Sequence, residues 1–149
     1  MANIVEVAYK LNGTLQKRTK TNYIVLHHAA ATKATVADID RWHKEKGWTC
    51  IGYHFYVDKA GRIFRGRPID TIGAHCLGHN NDSIGICAEG NFNVEKMNDK
   101  QKQAVIELLK DLVKKYPKAK IVRHKDLMST DCPGNNYPFL EIIREVQGK

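Results

Sequence analysis

Two adjacent histidines, a third histidine and a cysteine carry the strongest chemical signal in this 149-residue sequence. His27 and His28 close the apolar run Tyr23-Ile24-Val25-Leu26. His124 closes a shorter run, Ile121-Val122-Arg123, and Cys132 follows eight residues later in Ser129-Thr130-Asp131-Cys132-Pro133-Gly134. Imidazole nitrogen and thiolate sulfur are ligands for Zn2+, and three protein ligands with one open position form the catalytic arrangement of that ion. Successive strand residues point to opposite faces, so one of His27 and His28 can enter a given site. The chain has seven histidines, and a histidine at a strand end also serves as a surface or satisfied core residue. Residue types alone therefore leave a metal centre and an incidental grouping both open. His75 and His79 stand four apart, a metal spacing only on a helix, and Gly73 and Gly78 argue against a helix there.

The elements that must position these groups follow from periodicity and turn chemistry. Ile4, Val5, Val7 and Tyr9 predict a weak strand over 3–9, and Tyr23 to His27 predicts a central one. Thr35 with Asp38 three residues on predicts a helix N-terminus. Val36, Ile39 and Trp42 then form its inward face, and Gly47 ends it. Residues 51–57 and 62–65, joined by Asp58-Lys59-Ala60-Gly61, predict a hairpin. Three glycines between 66 and 82 predict one long loop before a strand over 83–88.

Asn98 as cap, Gln101 as its capping-box partner and an apolar stripe from Ala104 to Val113 predict the clearest helix, stopped before Pro117. A short strand at 121–124, a loop over 125–137 and a helix over 138–146 complete the chain. The expected fold is a single α/β domain spanning residues 1–149. Its mixed central sheet of about five strands is flanked by three helices.

Composition narrows the function classes. Hydrophobic residues at 42% and charged residues at 27% describe a globular chain rather than a disordered one. No apolar run approaches the ~20 residues of a membrane span, so no membrane insertion is expected. Glu6 interrupts the N-terminal apolar residues, so the expectation is a chain made in the cytoplasm without a signal peptide. The net charge of +8 predicts attraction to polyanions such as nucleic acid, anionic lipid or an acidic wall polymer. Zinc-finger spacing, a basic zipper and an RNP-type aromatic motif are all absent from the sequence, which disfavours nucleic acid. Cys50, Cys76, Cys87 and Cys132 form no Cys-x-x-Cys pair, and the first three read as small buried hydrophobes.

Taken together, the pieces resemble the zinc-dependent N-acetylmuramoyl-L-alanine amidases of the amidase-2 type, which include amidase-type phage lysozymes and catalytic peptidoglycan recognition proteins. The resemblance runs through Ile24 to His28, Arg41 to Trp48, Gly52-Tyr53-His54-Phe55, Gly73-Ala74-His75, His79 to Ile86 and His124 to Gly134. It covers roughly residues 21–146 in the family's order. Trp42-His43-Lys44-Glu45-Lys46-Gly47-Trp48 with Gly52-Tyr53-His54-Phe55 is most similar to the phage lysozymes.

That resemblance implies His27, His124 and Cys132 as ligands of one Zn2+ per chain, and Tyr53 as a catalytic tyrosine. Thr130 matches a position where many phage lysozymes carry lysine and the recognition proteins carry threonine, so a mechanism needing a cation there is not expected. His75 and Asn80 match positions lining the substrate groove. The activity implied is hydrolysis of the amide between N-acetylmuramic acid and L-alanine in peptidoglycan. The implied setting is endolysin-like, in a monomer that reaches the cell wall through a membrane lesion made by another protein. The alternative is a peptidoglycan-binding module without hydrolysis. Loss of the ligand cysteine marks the non-catalytic relatives, and Cys132 is present.

Overall fold

Strands buried on both faces organise this molecule. A computed structural model describes residues 2–148. In chain order the strands are β1 (Ile4–Val5), β2 (Tyr23–His28), β3 (Phe55–Val57), β4 (Ile63–Arg65), β5 (Ser83–Ala88) and β6 (Lys120–Arg123). The helices are α1 (Val36–Glu45), α2 (Asp99–Lys115), the single turn α3 (His124–Leu127) and α4 (Phe139–Gln147). One six-stranded sheet forms in the order β1-β4-β3-β5-β2-β6. The β3–β4 hairpin is antiparallel and every other pairing is parallel, so the sheet is mixed as expected. The sixth strand is the two-residue β1, a short edge piece.

Side chains on the two faces enter different cores, because a strand alternates with period two. Ile24, Leu26, Ile84 and Ile86 pack with Leu108, Leu109 and Leu112 of α2 and Ile142 of α4. Tyr56 and Cys87 face the other way, against Ile39 of α1, Cys50 and Ile51. The stripe on α2 is thus the floor of the larger core. Each fully buried leucine there contributes roughly 1.5–3 kcal/mol of transfer free energy. Cys50, Cys76 and Cys87 are all buried and free, as expected of small buried hydrophobes.

Local signals account for most boundaries. Thr35 Oγ1 accepts from Asp38 N at 3.1 Å while Asp38 Oδ2 accepts from Thr35 N at 3.0 Å, a complete capping box worth about 1 kcal/mol. Asn98 caps α2 through Gln101 N at 2.9 Å. Gln101 does not complete the box. Its side chain is buried and donates instead to Val57 O and Glu89 O, at 3.1 and 2.8 Å, tying α2 to the ends of β3 and β5. Trp42 is exposed, because the inward stripe of α1 runs through Ile39 and His43. The predicted strand at 121–124 ends one residue early, and His124 instead opens α3. Among the described residues no helix is long and apolar enough to cross a membrane.

Candidate metal centre

Parallel pairing of β2 with β6 brings the two candidate ligand histidines together. Leu26 pairs with Arg123, so the next residues, His27 and His124, emerge side by side at the same end of the sheet, with ring centroids 4.5 Å apart. Period two then decides the face. Leu26 enters the α2 core, so His27 projects toward the opposite face and is 1% exposed. His28 returns to the first face. Its Nδ1 accepts from Phe92 N at 3.1 Å, and its ring stacks near Phe92. The expected separation of the tandem histidines is therefore observed.

The α3 turn and the loop after it supply the third group. Asp126 accepts from Arg123 N at 2.9 Å and from the Arg123 guanidinium, fixing where His124 starts. Lys125 N donates to Cys132 O at 3.0 Å, which folds the loop back on the strand end. Cys132 Sγ then lies 3.4 Å from His28 N and 3.7 Å from His27 Nδ1. One ligand atom each from His27, His124 and Cys132 falls within 4.8 Å of the others. A tetrahedral zinc with nitrogen at about 2.0 Å and sulfur at about 2.3 Å separates its ligands by roughly 3.5 Å. The donor set and its spacing fit that ion.

Burial controls the protonation of these groups in the metal-free protein. The His27 imidazolium is strongly disfavoured by desolvation, then by the neighbouring His75 and His124, and its pKa falls well below the usual value. Burial lowers His124 as well, and pushes the Cys132 thiol up to about 12. Neutral imidazoles are ready ligands. The thiol needs a cation beside it to ionise.

The other sequence candidates surround the cluster. Tyr53 is part-buried, with its ring centroid 5.0 Å from that of His27. Its phenol is pushed well above its ordinary pKa, by burial first and then by Cys87 and Cys132. Thr130 is exposed, and its Oγ1 accepts from Cys132 N at 3.3 Å. His75 is buried, with Nδ1 2.8 Å from His27 Nε2. Asn80 Oδ1 accepts from both His75 N and Cys76 N at 2.8 Å, so it shapes the loop that holds His75. Trp48, His75, Leu77, Asn80, His124 and Met128 line a shallow pocket over the centre.

Three further residues belong here. His43 packs beside Tyr53 and Trp48, and its Nδ1 accepts from Gly52 N at 2.8 Å. Burial lowers its pKa to about 4. His54 is fully buried. It joins Thr71 O through Nε2 and Gly85 N through Nδ1, at 2.8 and 3.0 Å. Met128 Sδ lies 3.1 Å from His124 Nε2. A thioether only accepts, so this contact puts the His124 ring proton on Nε2 and frees Nδ1. Its four-residue distance from His124 is the one sequence signal that could have found it, given a helical turn.

Residues 17–135 match the sequence profile of the Amidase_2 family, described as N-acetylmuramoyl-L-alanine amidase. The endolysin of Klebsiella phage KP32 is 36% identical over 126 residues, covering 78% of this chain and 83% of that protein. Peptidoglycan-recognition protein SC2 of Drosophila melanogaster is 34% identical over 127 residues, covering 77% of this chain and 69% of that protein. Among solved structures, the N-acetylmuramoyl-L-alanine amidase LysC from Clostridium intestinale URNW superposes with a TM-score of 0.95. It is 43% identical and covers 98% of both chains.

Proposed function

Since the chain belongs to the Amidase_2 family of N-acetylmuramoyl-L-alanine amidases, we propose that its metal centre is a zinc site hydrolysing the amide between N-acetylmuramic acid and L-alanine in peptidoglycan. The convergence of His27, His124 and Cys132 under an open pocket carries this reading. These three residues would hold one zinc ion per chain. Bound there, zinc supplies a Lewis acid that brings the pKa of water to about 7 and polarises a carbonyl.

The chain's own residues supply the remainder. Tyr53 keeps its proton at neutral pH, because burial raises its pKa, so its role is hydrogen-bond donor and not general base. Thr130 accepts from Cys132 N, which leaves its hydroxyl proton free for the oxyanion that develops on the substrate. It is a neutral donor and adds no charge. Asn80 has its carbonyl oxygen committed to the loop, so its amide nitrogen is the group it can offer to a stem-peptide carbonyl. His75 lines the same pocket, with its ring edge turned to His27.

Digestion of purified peptidoglycan tests the reaction. The expected products carry new N-terminal alanine amines and no new reducing sugar ends. Release of reducing ends would make the protein a glycosidase. Binding of peptidoglycan with no new amine would leave it a recognition module.

A further inference from the structure

A chain of hydrogen bonds leads from the metal centre into the sheet, and donor chemistry fixes its direction. Ser83 Oγ lies 2.6 Å from the carbonyl oxygen of His79 and 3.1 Å from His75 Nε2. A carbonyl oxygen only accepts, and a serine hydroxyl has one hydrogen to give. Ser83 therefore donates to His79 and accepts from His75, which places the ring proton of His75 on Nε2. Burial keeps both His75 and His27 neutral, at 8% and 1% exposure. The bare Nδ1 of His75 then accepts from His27 Nε2 at 2.8 Å. His27 is left with its Nδ1 lone pair on the Cys132 side, 3.7 Å from Sγ.

The fold is shaped to hold that ring. A Cβ at Gly85 would lie 2.6–2.8 Å from three ring atoms of His75, and a Cβ at Gly73 would lie 2.7 Å from its Cδ2. Both positions are too close for any side chain, so the two glycines form a slot for the imidazole. The backbone of His75 is fixed in turn by Asn80. Ser83, Gly73 and Gly85 stand outside the ligand set, yet all three converge on the one group that touches His27 from behind.

We infer that His75 and Ser83 are positioning residues that hold His27 as the Nε2–H tautomer, presenting Nδ1, and so set the affinity of the centre for a divalent metal. The inference rests on the reading of His27 as a zinc ligand. Without an acceptor behind it, His27 loses both its fixed tautomer and its fixed ring plane. Changes to such partners weaken metal binding on the order of 10- to 100-fold.

The experiment uses the full chain, stripped of metal and titrated with Zn2+ against a chromophoric chelator. His75→Leu should weaken zinc binding on the order of 10- to 100-fold. Ser83→Ala should weaken it in the same direction by less. His75→Asn should stay close to the unmodified protein, because its Oδ1 takes the place of Nδ1 as acceptor. Long-range 1H–15N correlation spectra of the unmodified, metal-free protein should show His27 protonated on Nε2, a readout that needs no variant to fold. Three results would each overturn the relay: His75→Leu binding zinc as tightly as the unmodified protein, His75→Asn binding as poorly as His75→Leu, or His27 protonated on Nδ1. Unmodified protein that takes up no zinc overturns the zinc reading itself, and the relay with it.

Discussion

The two walls of the metal centre are built in opposite ways. His27 stands on β2, which is paired on both sides, and its far nitrogen meets a buried ring seated between two glycines. Cys132 stands on a loop between α3 and α4, where its neighbour Thr130 is exposed and caps its own backbone. His124 is intermediate, beginning a single turn with a thioether against its Nε2. Backbone pairing and burial make the sheet wall a rigid template. The loop wall trades that rigidity for access, which is where a substrate amide must enter.

The comparison can be broken most severely at the loop, because Cys132 is proposed as a direct ligand. Cys132→Ser should reduce bound zinc and peptidoglycan hydrolysis to background, an effect beyond the roughly 10- to 100-fold of partner changes. Elemental analysis after dialysis checks it, and unchanged metal content would remove Cys132 from the ligand set.

Acid should act on the buried histidines that flank the sheet wall. His54 and His43 have folded-state pKa values lowered by burial to about 3 and about 4. The unfolded chain therefore takes up protons first, and their contribution, complete above about pH 6.5, is lost as pH falls toward 4. Each histidine removes about 1.4 kcal/mol of stability per pH unit in that window. Urea unfolding of the metal-free protein at pH 7 and pH 5 measures the loss. Equal midpoints at the two pH values would show that these rings are not held neutral.

Gly85→Ala should destabilise by about 1–3 kcal/mol through overpacking, and should weaken zinc binding because His75 is the group displaced. A thermal melt with a parallel zinc titration separates the two effects. If stability falls but affinity does not, the template character of this wall is lost.

Thr130→Ala sharpens the contrast from the other side. An exposed loop position should change stability by no more than about 0.5 kcal/mol. Activity should still fall by about tenfold or more as one oxyanion donor disappears, with metal content unchanged. Thr130→Ser, keeping the hydroxyl, should restore most of it. Retained activity in the alanine variant would assign Thr130 to loop structure alone.

Much of the scaffold was legible because local rules govern it. The Thr35–Asp38 box, the Asn98 cap, the α2 stripe and the β3–β4 hairpin each depend on residues close in sequence. Errors arose where distant partners compete for a side chain. Gln101 leaves its own helix cap for two carbonyls across the domain, and Trp42 yields the inward face of α1 to His43. Residue types singled out the His27-His28 pair, His124 and Cys132, and the family resemblance chose His27 from the pair and added His75 and Asn80. It could not show that His75 meets His27 from behind, since that contact joins residues 48 apart through a glycine slot.

The sequence by itself determined which chemistry was available. Two imidazoles stand where strands end and a thiol in the loop beyond, alternation sends His27 and His28 to opposite faces, and the motifs set the family. Tertiary structure alone decided which nitrogen of each imidazole is left free to face a metal. A ring has two nearly equivalent nitrogens, and only a partner in space, Ser83 through His75 or Met128, breaks that symmetry.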